Sequence, residues 1–448
     1  MKLPSDLGGH LRETIALAIP VMLARAGFII MVTVDTIMTG QVSAELLAHY
    51  GISMAPHVTI LVVGIGIMAS TTILTAQARG AGRLDAIGAI WRNALVIGLL
   101  LGLLAGWLLS HGEEILLLLG QSNDLAVGGG AAVSAFAWGM PGLFLFLACA
   151  FFLEGIGRPQ IGMVVTLSGN LVNAGANWLL IEGHWGFPAM GAAGAAMGTS
   201  ITRWVMFAAL LSYILWLMRD RDAFHLLGRT FPLTIAVKQL KLGIPLALSV
   251  GLQTAALAAL ATIAGWLGAR DLAAFQIANN VVAFLFMLSI GMANATTVRV
   301  ANAVGRGDQR ARVVAGLTGL GLIVCFQLCF ALVIEVFPGM LASAYTTDAA
   351  VLALTVPALL WVGFTVVADG SQAVLQGALR AMGQVWVPLM IYSLSYWLFM
   401  VPLGYLLAYR WGWGVEGLLA ALFLGYGLAA VAMAIRFRAT ALREVRPL

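Results

Sequence analysis

Twelve long apolar segments, separated by short polar stretches, make up nearly the whole of this chain. Each segment is long enough for an α-helix to cross a bilayer, which takes about 20 apolar residues. No room is left for a separate domain outside the membrane. We therefore predict an all-α polytopic membrane protein with transmembrane helices at 14–39, 50–77, 87–110, 131–153, 161–181, 190–217, 240–266, 273–302, 313–337, 350–378, 385–408 and 415–436.

The composition supports a membrane protein and argues against a soluble one. Of the 448 residues, 61% are hydrophobic and 10% are charged, whereas soluble proteins carry about a quarter charged residues. Such a chain cannot cover a globular surface with polar groups. The net charge of +5 does not indicate a nucleic-acid partner, because the basic residues lie in short loops where they determine orientation.

Lysine and arginine are distributed very unevenly between the two sets of loops. One set holds twenty of them and the other holds only Arg270 and Arg410. By the positive-inside rule, the basic set and both termini face the cytoplasm. The opening residues lack the basic region, apolar core and cleavage site of a signal peptide, so we expect the first segment to remain in the mature protein.

The chain repeats itself at a nearly constant offset. A shift of 225 aligns Pro20 with Pro245, Gly66 with Gly291 and Thr71 with Thr296, and a shift of 226 aligns Leu153 with Leu379, Gly157 with Gly383 and Gly191 with Gly417. This predicts two pseudo-symmetric six-helix bundles of the same orientation: an N-lobe at 1–218, a cytoplasmic linker at 219–238 and a C-lobe at 239–448. Parallel repeats are a transporter architecture with a substrate cavity between the halves and alternating access.

A single carboxylate interrupts the first apolar segment, and charged groups in hydrocarbon usually serve a function. Asp35 lies about five residues inside the outer end of its segment, and Asn170, Asn173 and Asn177 share one helix face in the fifth segment. The Asp35 carboxylate, the amide carbonyls of Asn173 and Asn177 and the hydroxyl of Thr199 would form an all-oxygen cation site. The predicted sodium ligands are Asp35, Asn173 and Asn177. Two other interpretations remain: Asp35 carries a proton, or it is an interfacial residue.

A second carboxylate, Asp369, lies in the tenth segment. It would be a second coupling group or a binding site for a cationic substrate, and the alternative is a structural hydrogen-bonding role. The side chains predicted to accompany it in the second half are Gln253, Gln276, Asn280 and Gln372.

Two arginines, Arg25 and Arg203, also fall within apolar segments. Arg25 is ten residues from Asp35, which is about 15 Å of helix rise, so the two cannot pair directly. We interpret both arginines as members of structural ion pairs or as side chains that snorkel to the interface. The sequence does not identify their partners.

Nothing in the chain indicates an enzyme. Cys149, Cys325 and Cys329 lie in apolar segments, where cysteine behaves as a small hydrophobe. The histidines are scattered, and no nucleophile lies beside a base. We predict no catalysis, no disulfide, no metal site built on cysteine and no cofactor beyond a coupling ion, Na⁺ or H⁺.

Several motifs resemble the multidrug and toxic compound extrusion (MATE) family. They are AIPVMLARAGFIIMVTVDTIMTG at 18–40 with LAHYGIS at 47–53, GIPLALSVGLQ at 243–253, DGSQAVLQGALRAMG at 369–383, and paired Gly-Arg loops after the second and eighth segments. The resemblance covers nearly the whole chain and is closest to the bacterial NorM-type branch. It implies the MATE/MOP-type fold and export of drugs and organic cations by antiport with Na⁺ or H⁺. It also implies a monomer in the bacterial inner membrane.

The resemblance assigns roles to particular residues. Asp35, Asn173 and Asn177 match the family's first-lobe cation site, Thr199 resembles a threonine found there in some members, and Asp369 matches its acid in span ten. One position departs from the pattern, because NorM-type members usually carry Glu where this chain has Gln253. Glutamine does not titrate, so the resemblance places coupling at Asp35. A lipid-linked precursor flippase of the same superfamily is the alternative function; it would predict additional spans and a strongly cationic cavity.

Overall fold

The computed structural model describes residues 7–218 and 231–443. Twelve described helices are long and apolar enough to cross a membrane, which confirms the predicted number and the all-α class. Their bounds are α1 Leu7–Val42, α2 Ala44–Gly80, α3 Leu84–Leu109, α4 Asn123–Gly155, α5 Pro159–Ile181, α6 Gly191–Met218, α7 Leu233–Leu267, α8 Ala269–Gly305, α9 Gln309–Val336, α10 Ala349–Ala381, α11 Trp386–Arg410 and α12 Gly414–Ala441. Short helices at Gly112–Leu118 and Pro338–Ser343 follow α3 and α9.

Several helices extend beyond the apolar segments that predicted them. α2 begins at Ala44 rather than near residue 50, because Ser43 caps it by accepting a hydrogen bond from the Leu46 N–H at 3.1 Å. α4 continues to Gly155. Polar residues at these ends, including Glu154, therefore lie on helices rather than in loops, and their side chains have fixed directions.

The eleventh helix is not α-helical throughout. Within α11, Ser393–Met400 and Leu406–Arg410 are π-helical. Pro402 has no N–H to donate to the preceding turn. A π-helical segment widens the backbone and is frequent at functional sites. The first of these segments carries Tyr396, which belongs to the second polar cluster described below.

The chain divides into two compact units. Leu23–Ala247 forms one, called the N unit, and Met1–Met22 groups with Leu248–Leu448 in the other, called the C unit. The boundaries fall two residues after Pro20 and two residues after Pro245. These boundaries differ from the predicted lobe limits. The start of α1 groups with the C unit, and the start of α7 groups with the N unit. Hydropathy locates a membrane helix but does not show which neighbours it packs against. Residues 219–230 of the predicted linker lie outside the described residues.

The two units use equivalent glycines to accept these helix starts. In the N unit, Gly66 of α2 lies against α7, and a Cβ at position 66 would come within 2.5 Å of the Ala247 Cα. In the C unit, Gly291 of α8 lies against α1, and a Cβ there would overlap the Met22 side chain. Gly66 and Gly291 are separated by the repeat offset of 225, and so are their partners Met22 and Ala247. This agrees with the gapless repeat and supports close packing as the role of these glycines.

Polar contacts accompany each crossing. In the N unit, Gln239 of α7 donates to the Ile90 carbonyl of α3 at 3.2 Å. In the C unit, Arg299 of α8 donates to the Thr14 hydroxyl at 2.6 Å and pairs with Glu13 at 3.1 Å. Thr14 and Gln239 are again separated by 225. The start of each first helix is thus fixed by both packing and hydrogen bonding.

We expect Gly66→Ala and Gly291→Ala each to destabilise the purified protein by about 1–3 kcal/mol, because the added methyl group overpacks a helix crossing. The Tm in detergent measures the effect. Gly427→Ala in α12 is the control, since a Cβ there meets nothing within 4 Å. A Tm for Gly66→Ala equal to that of the control would contradict the assigned packing.

Candidate functional site

Asp35 is a fully buried carboxylate in the N unit. Its side chain on α1 is about 1% exposed, which argues against an Asp35 that faces lipid headgroups or water at a helix end. Oδ1 accepts a hydrogen bond from Asn177 Nδ2 at 2.6 Å, and Oδ2 accepts one from the Thr199 hydroxyl at 2.7 Å. Helices α1, α5 and α6 each supply one of these groups. The structure thus brings together residues that are more than 140 positions apart in sequence.

The two predicted asparagines complete the cluster as their spacing indicated. Asn173 donates to Thr199 Oγ1 at 3.2 Å and accepts from Asn177 Nδ2 at 3.5 Å. Both are buried one helical turn apart on α5. Asn170 is not part of the cluster and instead donates to the Thr166 carbonyl of its own helix.

Tyr50 of α2 is a member of the cluster that the sequence did not indicate. Its hydroxyl donates to Asp35 Oδ2 at 2.9 Å, and its side chain is buried. A lone tyrosine in an apolar segment carries neither a charge nor an amide, so its sequence context does not distinguish it from an aromatic residue that packs against lipid. Three donors from three different helices therefore surround one carboxylate, the arrangement that stabilises its ionised form.

The cluster also offers the oxygens that a small cation needs. The Asn177 carbonyl Oδ1 is buried without a hydrogen-bond partner. Carboxylate, amide and hydroxyl oxygens are ligands for hard cations, and an asparagine amide presents either its nitrogen or its oxygen to a neighbour. These groups can therefore bind either of two ions: a proton on Asp35, or a monovalent cation held by Asp35, Asn173 and Asn177.

Gly198 makes room for this arrangement. A Cβ at position 198 would collide with Asn177 Oδ1, so we expect Gly198→Ala to displace the Asn177 amide from Asp35. The expected result is a loss of about 1–3 kcal/mol of stability together with weaker cation-dependent export. Gly175→Ala is the matched control on α5, where a Cβ meets nothing within 4 Å. If both variants export at the wild-type rate, the Asn177 contact is dispensable.

Asp369 is a buried carboxylate of the C unit, about 2% exposed on α10. It accepts from Gln372 Nε2 at 3.0 Å, and Gln372 Oε1 accepts from the Tyr396 hydroxyl at 2.8 Å. The Tyr396 ring lies 4.9 Å from Tyr392 and 5.3 Å from Tyr426. This site combines one carboxylate with three buried aromatic rings, which suits a flat organic cation.

The other predicted members of the second site do not all lie close to its tyrosines and Asp369. Gln253 of α7 interacts with Tyr426 and so borders the tyrosine group. Gln276 and Asn280 are exposed on α8, and the hydrogen bond described for Asn280 comes from Tyr345 at 3.1 Å. No described hydrogen bond joins either of them to Asp369. The sequence shows that Gln276 and Asn280 are polar residues near the start of a long helix. It does not show whether such residues line a buried site or lie on an exposed surface.

The two intramembrane arginines have different partners. Arg25 pairs with Glu154 of α4 at 3.6 Å and lies over the Phe151 ring, which agrees with the predicted structural ion pair. Arg203 is buried rather than snorkelling, and within the described ranges it has no carboxylate within 4 Å and so makes no direct ion pair. Arg203 instead donates to His57 Nε2 at 2.8 Å.

One further group of potential metal ligands occurs among the described residues. The ligand atoms of Glu45, His49 and Asp124 lie within 4.8 Å of one another, and His49 Nε2 is 3.9 Å from Asp124 Oδ2. Both carboxylates are exposed. We interpret the group as a polar contact that joins the start of α2 to the start of α4.

The repeat positions of the two carboxylates are occupied by leucine. Leu260 corresponds to Asp35 and Leu143 to Asp369, and both leucines are fully buried. The two units therefore share a backbone plan but differ in chemistry. A helical membrane protein with an internal repeat and unlike buried carboxylates in its two units has features that are typical of membrane transporters.

Comparisons with known proteins identify the family. The MatE family model matches residues 20–179 and 245–406. A "Probable multidrug resistance protein NorM" from Caulobacter vibrioides is 34% identical over 95% of this chain and 91% of its own length. A protein of the same name from Xanthomonas campestris is 33% identical over 97% and 95%. The chain belongs to the MatE family.

Solved structures share the fold. "Crystal structure of MATE in the bent conformation" has a TM-score of 0.88 and 19% identity, and covers 98% of both chains. "Crystal structure of Vibrio cholerae MATE transporter VcmN in the bent form" has a TM-score of 0.87 and 19% identity, also over 98% of both. "Outward-facing conformation of a multidrug resistance MATE family transporter of the MOP superfamily" has a TM-score of 0.86 and 20% identity, over 98% and 99%.

Proposed function

We propose that this protein is a secondary active multidrug efflux transporter that exports organic cations and drugs by antiport with Na⁺ or H⁺. The observation that carries the proposal is the buried Asp35, which accepts hydrogen bonds from Tyr50, Asn177 and Thr199. A carboxylate is costly to bury in hydrocarbon and is retained where it serves a function. The relatives named as multidrug resistance proteins support drugs as the exported compounds.

The N unit provides the coupling site. A proton would bind to the Asp35 carboxylate directly, and a sodium ion would be held by Asp35, Asn173 and Asn177 with Thr199 beside them. Loading removes the negative charge that the surrounding donors stabilise. Thr199 and the two amides then exchange their partners, which changes how α1, α5 and α6 are held together. A coupling ion drives transport only if it binds two states with different affinity.

The C unit provides the substrate site. Asp369 supplies a negative charge, and Tyr396 and Tyr426 supply aromatic faces. An aromatic cation gains both Coulomb attraction and cation–π contact there. The neighbouring Gln253 cannot titrate, so we assign ion coupling to the N unit alone. Alternating access then exposes the substrate to each side of the membrane in turn.

The remaining features of the proposal follow from the loop charges and the family. We propose a bacterial inner-membrane protein that acts as a monomer with both termini in the cytoplasm. The flippase alternative predicts more spans than the twelve described here and a strongly cationic cavity. A membrane-embedded enzyme would require clustered catalytic groups, for which no sequence signal was found.

A survival assay tests the function. Expression in an efflux-deficient bacterium should raise the inhibitory concentrations of ethidium, a flat aromatic cation, and of norfloxacin, whose flat quinolone ring bears a protonated piperazine. Cells that express the protein should also lose preloaded ethidium faster than cells with an empty vector. Equal survival and equal ethidium loss in the two strains would exclude drug export.

A further inference from the structure

Arg203 is a buried cation that the described fold does not neutralise locally. It lies on α6 with about 5% of its surface exposed. Its guanidinium donates to His57 Nε2 at 2.8 Å, makes a long contact of 3.8 Å to Met140 Sδ and lies 5.5 Å from the Phe136 ring centre. None of these groups carries a negative charge. Burying a cation without an anion costs several kcal/mol, so a compensating charge is expected nearby.

His57 cannot be that compensating group. A guanidinium only donates hydrogen bonds, so the histidine nitrogen facing it must be an acceptor. His57 is therefore the neutral imidazole, and its ring stacks on Phe136 at 4.1 Å. The pair of Arg203 and His57 carries one net positive charge inside the N unit.

Asp35 lies on the same side of α6 as Arg203. Thr199, which donates to Asp35 Oδ2, precedes Arg203 by four residues, and side chains four apart lie on one helix face. Tyr50, which donates to the same oxygen, packs its ring 6.2 Å from Phe136. A continuous set of contacts through Tyr50 and Phe136 therefore connects the Asp35 carboxylate to the Arg203 guanidinium.

The internal repeat gives independent support. The C-unit positions that correspond to Asp35 and Arg203 are Leu260 and Ala429, both with no exposed surface. The negative and the positive charge are therefore present together in one unit and absent together in the other. Arg25, by contrast, has its own partner in Glu154.

We propose that Arg203 is the internal counter-ion of Asp35 and that it sets the affinity of the coupling site. When Asp35 is unloaded, the two charges balance. When a proton or Na⁺ neutralises Asp35, the charge of Arg203 is left uncompensated within the unit. The uncompensated charge raises the free energy of the cation-bound state in this conformation. Cation binding is therefore weaker here, and the change to another conformation is favoured. Arg203 is a positioning residue, and this role rests on the proposed coupling at Asp35.

A double-mutant cycle on the purified full-length protein tests the charge balance without any transport. The variants are Asp35→Asn, Arg203→Gln and the double replacement, and the readout is Tm in detergent at fixed sodium and pH. Each single variant leaves one buried charge unpaired and should melt below wild type. The double variant should melt above Asp35→Asn. Additive losses in Tm would overturn the proposal.

Cation affinity provides a second readout that a purely structural arginine would not change. Arg203→Gln should bind the coupling cation at least about fivefold more tightly, measured as the sodium or proton concentration that half-saturates the change in tryptophan fluorescence. Arg203→Lys should remain near wild type. Arg25→Gln, which removes a partly buried arginine that is paired with Glu154, should not shift the midpoint.

An unchanged or weaker affinity in Arg203→Gln would contradict the counter-ion role. The failure of the proposed function would look different. Wild-type drug export that is independent of both cation gradients would exclude the antiport mechanism. The losses of Tm in the double-mutant cycle would still be non-additive.

Discussion

Replacing Asp35 with Asn should abolish drug export while the protein still inserts into the membrane. Asparagine keeps the size of the side chain but carries neither the negative charge that attracts Na⁺ nor a titrating proton. The hydrogen-bond donors at Tyr50, Asn177 and Thr199 then face a neutral amide. We expect resistance to ethidium to fall to the level of cells without the protein, at an unchanged amount of protein in the membrane fraction.

Asp124→Asn is the matched control for this loss. Asp124 also lies in the N unit, but its side chain is about 81% exposed, and removal of an exposed charge costs little. The control should retain full resistance. Wild-type resistance in Asp35→Asn would show that Asp35 is not the coupling residue.

Replacing Asp369 with Asn should weaken the binding of cationic compounds more than that of uncharged ones. The loss of one negative charge beside Tyr396 and Tyr426 removes Coulomb attraction but leaves the aromatic faces in place. We expect the KM for ethidium to rise at least about tenfold, equivalent to 1.4 kcal/mol. The KM for an uncharged aromatic substrate should change little, and this comparison within one variant separates a binding role from misfolding.

The cation dependence of Asp369→Asn should remain that of wild type, since coupling is assigned to the N unit. A variant whose export of neutral compounds also stops responding to the cation gradient would show that Asp369 takes part in coupling. An equal loss for charged and uncharged compounds would instead favour the structural role for Asp369.

The sequence predicted the membrane helices well because their signal is local. Composition and length suffice to recognise an apolar helix, and the offset of 225 revealed the repeat without any structural information. Asn173 and Asn177 could be placed on one face because helix geometry fixes which residues are neighbours. Asp35 could be singled out because charge in hydrocarbon is rare.

What the sequence could not predict depends on contacts between distant segments. Tyr50 and Tyr396 carry no charge and were not distinguished from lipid-facing aromatics. Glu154 lies in the last turn of α4, beyond the apolar segment, so its pairing with Arg25 was not anticipated. The grouping of the start of α1 with the C unit has no signature in hydropathy, since a continuous helix looks the same whichever neighbour it contacts.

We propose that cation entry at Asp35 powers drug export. Ethidium efflux from proteoliposomes under separately imposed sodium and proton gradients, with wild type and Asp35→Asn compared side by side, tests this coupling. One inward cation gradient should accelerate wild-type efflux, and neither gradient should accelerate the variant. Wild-type efflux that responds to neither gradient, or a variant that responds as wild type does, would show that cation entry at Asp35 does not drive export.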